Sequence, residues 1–330
     1  MANRRGVPYP WQRAIWEALA ARLAEGRLPH ALLFAGPAGV GKRHLADLLA
    51  LSLLCEHPAG GTSACGECHA CRLFAAGNHP DYLHLRPEEE KRTIGIDQIR
   101  ELATFITLKS HYGSHKVVVL EPADAMTPAA ANALLKTLEE PTPGSFLILC
   151  SDQPASLLAT IRSRCQKQLF TPVAEPLALP WLREQLPDPA QAGLLHALSG
   201  GLPLKAVALA EEGRLDYRAA VLGDIATLAH KGGDPIAIAA RWQQQGAAES
   251  LHWLQSLLLD VARLAAGAAD ILHNPDQKPL LQSLAGSMDL VSLHRLLDRL
   301  HHTLVQVKGP ANPQLLLEEL LVEWPATSKR

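Results

Sequence analysis

Short continuous apolar runs in the first half of the chain alternate with longer stretches of helical spacing. The run at residues 116–120 is β-branched throughout its centre, which is typical of an inner strand of a parallel sheet covered on both faces. The runs that predict strands are residues 30–35, 79–85, 116–120 and 146–150. Outside these runs, apolar residues recur at helical spacing, which predicts helices over residues 10–24, 45–54, 96–108, 129–140 and 157–161. This alternation predicts an α/β fold with an open parallel sheet.

The second half of the chain has a different pattern. The β-branched runs cease after about residue 169, and prolines interrupt short helical segments as far as residue 212, which predicts a small helical lid. Longer helical periods follow over residues 219–229, 235–245, 249–265, 290–307 and 313–324. We therefore expect three domains: a sheet domain over residues 1–168, a lid over 169–212, and an all-α domain over 213–330.

Composition limits the function classes. The chain has 330 residues, is 48% hydrophobic and carries a formal net charge of −2, so no overall positive field attracts it to nucleic acid. Contact with DNA would have to be local or shared with partner chains. The first residues lack the apolar segment of a signal peptide, and no later run is long enough to span a bilayer. These features predict a soluble, cytoplasmic protein without a membrane partner.

A glycine-rich loop joins the first predicted strand to an apolar helix. Its residues, Gly-Pro-Ala-Gly-Val-Gly-Lys-Arg, match a phosphate-binding loop except at the last position, where the pattern requires Ser or Thr. Gly36, Gly39 and Gly41 allow backbone N–H groups to surround phosphate oxygens, and Lys42 would reach the terminal phosphates. Arg43 replaces the hydroxyl that holds Mg²⁺, and a guanidinium does not ligate a metal.

The second half of a nucleotide site is also altered. A hydrolysing enzyme of this class needs a strand that ends in a metal-binding carboxylate, usually followed by a general base. Here the strand at 116–120 is followed by Glu121, and Pro122 occupies the place of the base. Asp124 opens the next turn, which favours a structural role. The sequence predicts a degenerate site in a chain that is not an active ATPase alone, and leaves ATP binding open.

Four of the six cysteines form a cluster in the sequence. Cys55, Cys65, Cys68 and Cys71 have the spacing C-x9-C-x2-C-x2-C, and the two-residue spacings suit tetrahedral thiolate coordination. The glycine-rich residues between them could not bury a core unaided, so we expect one structural Zn²⁺ to supply the folding energy of this knuckle. An iron–sulfur cluster and unliganded thiols are the alternatives. Four thiolates leave no open position for a catalytic metal.

Two further motifs carry a resemblance to a known family. Residues 131–141, Ala-Asn-Ala-Leu-Leu-Lys-Thr-Leu-Glu-Glu-Pro, and the later Ser-Arg-Cys at 163–165 resemble the AAA+ clamp-loader subunits of bacterial DNA polymerase III. The resemblance implies a P-loop domain with a zinc-binding insertion, a lid and an oligomerising helical collar. It also implies a largely rigid subunit in a pentameric ring with tau/gamma motor subunits and a delta subunit. Such a ring loads the sliding clamp onto primer-template DNA, and nucleotidyl transfer belongs to the assembled holoenzyme.

The resemblance also assigns roles to single residues. In this family the arginine at the position of Arg164 projects across an interface toward ATP held by a neighbouring subunit, so Arg164 is expected to act in trans. Leu204 stands where active members carry a sensing arginine in the lid. Two other functions remain open: a self-sufficient ATPase that uses Glu121 and Asp124 as its acids, and a zinc-dependent interaction scaffold.

Overall fold

A computed structural model describes residues 6–60, 62–89, 91–113, 115–211, 213–229, 233–268, 272–307 and 309–324. By backbone contacts the chain divides into two compact units. Unit 1 comprises Met1–Trp181 and Leu202–Lys205, and unit 2 comprises Leu182–Gly201 and Ala206–Arg330. The three-domain division expected from the sequence remains a prediction.

Unit 1 contains a five-stranded parallel sheet in the order β2-β3-β4-β1-β5. The strands are β1 (Ala31–Ala35), β2 (Tyr82–Leu85), β3 (Lys116–Leu120), β4 (Ser145–Ser151) and β5 (Gln166–Leu169). The four predicted strands are confirmed, as is the parallel α/β fold. The fifth strand was not predicted, because its residues, Gln-Lys-Gln-Leu, are mostly polar and three of the four are exposed. It lies at the edge beside β1.

Helices cover both faces of the sheet. Those of unit 1 are α1 (Arg13–Ala24), α2 (Lys42–Leu54), α3 (His69–Ala75), α4 (Ile96–Thr107), α5 (Pro128–Glu139), α6 (Ala159–Arg164) and the first part of α7 (Glu175–Gln185). Leu33, Val118 and Leu149 point to the face packed by α4, α5 and α6. Phe34 and Val119 point to the opposite face, packed by α1 and α2. The double burial explains why these strands are apolar throughout.

Unit 2 is helical, as the sequence predicted. Its helices are α8 (Ala192–Leu198), the second part of α9 (Pro203–Leu209), α10 (Arg214–Ala229), α11 (Pro235–Ala265), α12 (Lys278–Ser287), α13 (Leu290–Gln306) and α14 (Pro313–Val322). The helices predicted over 235–245 and 249–265 form one element, α11, which is broken at Gly246 with φ +131°. The helices α10, α12, α13 and α14 all pack against α11.

A buried polar network fastens the connection between α11 and α12. Arg218, whose side chain is buried, donates to both carboxylate oxygens of Asp276 at 2.7 and 2.9 Å and to the Asn274 amide oxygen at 3.0 Å. Asn274 in turn donates to Asp260 from its backbone and its side chain. Charged hydrogen bonds therefore hold this connection to the bundle.

Among the described residues, no single helix has the length and apolar character of a membrane span, although the bent pair Pro189–Leu198 and Pro203–Leu209 meets that test jointly.

Candidate functional site

The phosphate loop connects β1 to α2, and its glycines lie against other parts of unit 1. A Cβ on Gly36 would lie 2.1 Å from the carbonyl oxygen of Phe170. Gly41 has φ +83°, and a Cβ there would approach the Tyr9 ring and the Gln12 amide nitrogen to 2.8 Å. A side chain at either position is excluded by the protein itself. The glycines are thus required for packing, whether or not the loop holds phosphate.

Protein donors also hold the outer carbonyls of the loop. The Gln12 side chain is fully buried, and its amide nitrogen donates to the carbonyl oxygens of Val40 at 3.0 Å and Gly41 at 2.7 Å. The backbone N–H of Leu204 donates to the carbonyl oxygen of Gly39 at 3.0 Å. The loop is therefore fixed from two sides by residues of the same unit.

Lys42 is buried and fully hydrogen-bonded. Its Nζ donates to the carbonyl oxygens of Gly36 at 2.7 Å and Pro37 at 2.8 Å, and to Oδ1 of Asp152 at 2.5 Å. An ammonium group has three protons, so these partners use all of its donors. The side chain of Lys42 is 4% exposed, whereas that of Asp152 is 42% exposed. The cation expected to meet phosphate is paired with a carboxylate of its own chain.

Asp124 holds this carboxylate in position. Asp152 follows β4 directly, and its backbone N–H donates to Oδ1 of Asp124 at 2.9 Å. The hydroxyl of Ser151 donates to the same oxygen at 2.7 Å. The observed partners of Asp124 are thus donors at the end of β4. This geometry favours the structural role expected from the sequence over a role as a general base.

Arg43 lies in a cluster of polar side chains, here called the Arg43 cluster: Arg43, Asp47, Tyr82, His84 and Glu121. Its Nε donates to both carboxylate oxygens of Asp47 at 2.8 Å, its Nη2 to the Tyr82 hydroxyl at 3.1 Å, and its Nη1 to Oε2 of Glu121 at 3.4 Å. Nη1 also contacts Nε2 of His84. In a complete site of this class, Mg²⁺ binds both the loop hydroxyl and the carboxylate that follows the strand equivalent to β3. Here a guanidinium joins the two positions directly.

The pKa values in this cluster follow from burial and from the guanidinium. Burial, with the nearby positive charge of Arg43, lowers the pKa of His84 to about 4, so its imidazole is neutral at physiological pH. Burial raises the pKa of Glu121 above its usual range, although Arg43 opposes that change. The cluster accordingly contains one permanent cation, Arg43, that pairs with two carboxylates, Asp47 and Glu121.

The four predicted cysteines are brought together by the turn between α2 and α3. Their sulfur atoms all lie within 4.8 Å of one another, with separations of 3.6 Å for Cys55–Cys65, 3.9 Å for Cys55–Cys68 and 4.0 Å for Cys65–Cys71. A tetrahedron with Zn–S bonds of about 2.3 Å places its sulfurs about 3.8 Å apart. The residues therefore fit one metal ion with four thiolate ligands.

Backbone donors support thiolate chemistry in this cluster. The N–H groups of Cys65, Cys68 and Cys71 donate to the sulfurs of Cys55, Cys65 and Cys68 at 3.3, 3.3 and 3.4 Å. Backbone N–H groups of Glu67 and Cys68 lower the pKa of the Cys65 thiol to about 6, whereas burial raises the pKa of Cys55 and Cys71. A bound metal would hold the turn closed and would supply no catalysis, because the protein fills all four positions.

Arg164 is the last residue of α6 and its side chain is 36% exposed. Its Nη2 pairs with Oε1 of Glu139 at 2.6 Å, and its Nη1 donates to the carbonyl oxygen of Thr160 at 3.1 Å. Glu139, the last residue of α5, is 49% exposed. The guanidinium is therefore at the surface of unit 1, held by one exchangeable counter-ion. It is not part of the phosphate-loop site.

Comparison with known proteins identifies the family. The family described as "DNA polymerase III, delta subunit" matches residues 11–174, and "DNA polymerase III, delta subunit, C terminal" matches residues 212–325. The chain is 41% identical over 321 residues to DNA polymerase III subunit delta' of Pseudomonas aeruginosa, covering 96% of this chain and 97% of the relative. The chain belongs to the delta' (delta-prime) family of DNA polymerase III subunits.

Other relatives show how far the likeness extends. Subunit delta' of Escherichia coli is 38% identical over 319 residues, covering 95% of this chain and 94% of the relative. Subunit tau/gamma of Haemophilus influenzae is 34% identical over 198 residues, but this covers 58% of this chain and 28% of the relative. The delta' likeness therefore includes the helical unit, and the AAA+ clamp-loader resemblance drawn from the sequence motifs is confirmed at the level of the family.

Several residues of this delta'-family site were not predicted as functional. Asp47 is four residues after Arg43 on one helix, and that spacing of opposite charges was an available signal. Asp152 lies two residues after the strand predicted over residues 146–150, and polar groups that follow parallel strands meet at the sheet edge. Gln12 and Tyr82 gave no local signal, because their partners are 28 and 39 residues away in the chain.

Proposed function

We propose that the chain acts in DNA replication as the delta' subunit of the DNA polymerase III clamp loader. In this proposal it joins tau/gamma motor subunits and a delta subunit in a pentameric ring, which loads the sliding clamp onto primer-template DNA in the cytoplasm. Its support is the likeness to delta' proteins over nearly the whole chain, in both matched regions. The clamp and the DNA are contacted through the assembled complex.

Arg164 is the proposed catalytic contribution, acting as an arginine finger on the ATP of a neighbouring motor subunit. The register of β5 against β1 supports this proposal. Gln166 pairs with Leu32 near the amino end of β1, whereas the phosphate loop follows Ala35 at the carboxyl end. At about 3.3 Å per residue, Gln166 lies roughly 13 Å along the strand direction from the start of the loop at Gly36, and Arg164 precedes Gln166 at the end of α6. This distance favours action on another subunit's nucleotide.

The surroundings of Arg164 suit such a role. The exposed guanidinium is paired with a half-exposed carboxylate, Glu139, and an ion pair at the surface contributes on the order of 0–1 kcal/mol. A triphosphate bound by a neighbour could therefore replace Glu139 at little cost. At the transition state of phosphoryl transfer, the guanidinium would neutralise charge that develops on the transferred group.

We further propose that the subunit is largely rigid and has no ATP cycle of its own. Arg43 replaces the metal-holding hydroxyl, Pro122 replaces the base, and Lys42 is paired with Asp152. These contacts are made within unit 1, so the loop is held without nucleotide. A self-sufficient ATPase is disfavoured, because both cations of the loop are already engaged by carboxylates of the same chain.

The cysteine cluster completes the proposal as the site of one structural Zn²⁺. Cys55 directly follows α2 and Cys68 caps α3, so a metal bound there would join these two helices through the intervening turn. Its free energy of binding would add to the stability of unit 1. The metal would take no part in phosphoryl transfer.

The test of the arginine finger uses the reconstituted complex. Arg164→Ala is compared with Arg162→Ala, which removes an exposed arginine from the same helix two positions earlier and thus from a different side. Single-turnover ATP hydrolysis and clamp loading are measured on primed DNA. With Arg164→Ala, hydrolysis at the site facing this chain should slow by on the order of 10³-fold. Arg162→Ala should hydrolyse and load as the wild type does.

The outcomes separate the candidate functions. Wild-type hydrolysis and loading by the Arg164→Ala complex would contradict the arginine finger and favour the interaction-scaffold alternative. Rapid ATP turnover by the purified chain alone would favour the self-sufficient ATPase. Complex assembly, followed by gel filtration, is expected to be unchanged in both variants, so that a loss of rate is not a loss of the ring.

A further inference from the structure

The lysine of the phosphate loop is paired with a carboxylate of the same chain, Asp152. We propose that Asp152 is an internal counter-ion that occupies the phosphate's place on Lys42. In this proposal, removing the charge of Asp152 opens the loop to a polyphosphate anion that binds without a divalent metal. The inference concerns the chain by itself and does not depend on the role of Arg164.

Lys42 has one charged partner among its three hydrogen-bond acceptors. Its Nζ has three acceptors, but the two carbonyls of Gly36 and Pro37 are neutral, and only Asp152 offsets the charge. The ammonium group is nearly inaccessible, at 4% exposure, so an unpaired charge there would be costly. An incoming phosphate must therefore displace Asp152 or compete with it directly.

Hydrogen bonds to Asp124 hold the backbone that carries Asp152. Oδ1 of Asp124 accepts from the backbone N–H of Asp152 at 2.9 Å and from the Ser151 hydroxyl at 2.7 Å. The backbone that carries the carboxylate is thus fixed before the ion pair forms. A preorganised carboxylate competes with a diffusing anion far better than a mobile one, because its ordering cost is already met. Asp124 acts here as a positioning residue.

The Arg43 cluster explains why no metal would be needed. In a complete loop, Mg²⁺ is shared by the hydroxyl after the lysine and by the carboxylate after the neighbouring strand. Here Arg43 replaces the hydroxyl and binds that carboxylate, Glu121, as well as Asp47. These carboxylates have a permanent cation between them. The anion would then be held by Lys42 and by backbone N–H groups of the loop alone.

The test measures binding of inorganic tripolyphosphate, and of ATP, to the isolated full-length chain by calorimetry, in excess EDTA and in excess Mg²⁺. Asp152→Asn keeps the shape of the side chain and removes its charge. Asp97→Asn is the matched control, because it removes a carboxylate from an exposed ion pair of the same unit. We expect Asp152→Asn to bind tripolyphosphate at least tenfold more tightly than the wild type in EDTA, and Asp97→Asn to match the wild type.

Further variants make each result decisive. The double variant Lys42→Met with Asp152→Asn should lose the gain, and Lys42→Met alone should lower the melting temperature of the ligand-free chain. Equal tripolyphosphate binding by wild type and Asp152→Asn, or a gain that disappears in EDTA, would overturn the inference. So would an unchanged melting temperature in Lys42→Met. If Asp152→Asn does not fold, Asp152→Ser, which is also uncharged, is used in its place with the same expectation.

Discussion

Replacing Arg43 with threonine restores the residue type of a complete phosphate loop, yet the structure predicts that it weakens this protein. The guanidinium is the only cation that contacts Asp47 and Glu121 in the Arg43 cluster, among the residues that the structure describes. Arg43→Thr leaves both carboxylates beside each other without it. Because Pro122 still occupies the place of the general base, the variant should gain no ATPase activity.

The expected loss of stability follows from the burial of this cluster. Removing one partner of a fully buried ion pair costs about 3–5 kcal/mol, whereas a surface pair contributes about 0–1 kcal/mol. The side chains of Arg43, Asp47 and Glu121 are 28%, 33% and 32% exposed, which lies between these limits. We expect a loss of about 2–3 kcal/mol. For a unit of this size, that corresponds to a melting temperature lower by about 5–10 °C.

The assay is thermal unfolding of the zinc-loaded chain by circular dichroism, together with hydrogen exchange of the α2 amides. Arg43→Lys is the matched control, since it keeps the charge and loses the planar fork, and it should lose about half as much stability. Burial already raises the pKa of Glu121, and loss of Arg43 should raise it further. A carboxyl whose folded-state pKa is raised destabilises the fold above that pKa. The difference from the wild type should therefore narrow as pH falls from 7 toward the unfolded-state pKa of a glutamate, near 4.

Two results would refute this reasoning. A stability difference below about 0.5 kcal/mol at pH 7 would mean that solvent replaces the guanidinium at no cost, as at an ordinary surface site. A stability difference that does not change with pH would mean that the pKa of Glu121 does not depend on the charge of Arg43. In either case the cluster would not be what holds the loop in its nucleotide-free state.

Two further predictions concern other parts of unit 1. Elemental analysis should find one zinc per chain, lost in Cys68→Ser with a lower melting temperature but kept in Cys150→Ser; a metal-free wild type would contradict the site. Asp81 is buried, pairs with Lys116 at 3.2 Å and accepts backbone N–H groups at 2.8–3.0 Å, so Asp81→Asn should cost about 3–5 kcal/mol at pH 7 by chemical denaturation. Burial by itself would raise the pKa of Asp81, but the N–H groups and Lys116 outweigh it and lower that pKa. Its stabilisation is thus present above the unfolded pKa, near 4, and disappears as pH falls through the lowered folded pKa. A penalty that does not shrink as pH falls below that unfolded value would exclude this origin.

Local patterns determined much of the fold and part of the site. The apolar runs at residues 116–120 and 146–150 predicted buried parallel strands, and β3 and β4 lie there. The start of α5 also has a local signal, because a threonine followed by a proline is typical of a helix start; in the structure Thr127 accepts from the Ala130 N–H and Pro128 occupies the first turn. The cysteine spacing predicted a cluster that the turn between α2 and α3 closes. Each of these signals is complete within a few neighbouring residues.

The edge strand was less accessible to the sequence than the break in α11. The strand β5 contains few apolar residues, because an exposed edge strand buries little on either face. The break at Gly246 falls between the helices predicted over residues 235–245 and 249–265, although their joining into one element, α11, was not predicted. The pairing of β5 with β1 depends on tertiary contacts, so periodicity alone did not reveal that strand.

The sequence by itself determined that the phosphate loop lacks its metal-holding hydroxyl. It also determined that no general base follows the strand at residues 116–120. Only the tertiary structure decided what replaces them. Lys42 meets Asp152, 110 residues later, and Arg43 meets Glu121, 78 residues later. The parallel sheet brings the carboxyl ends of three strands to one edge, and such pairings have no local signal because they depend on strand order. The parallel pairing of β5 with β1 puts Arg164, which precedes β5, near the amino end of β1, away from the loop.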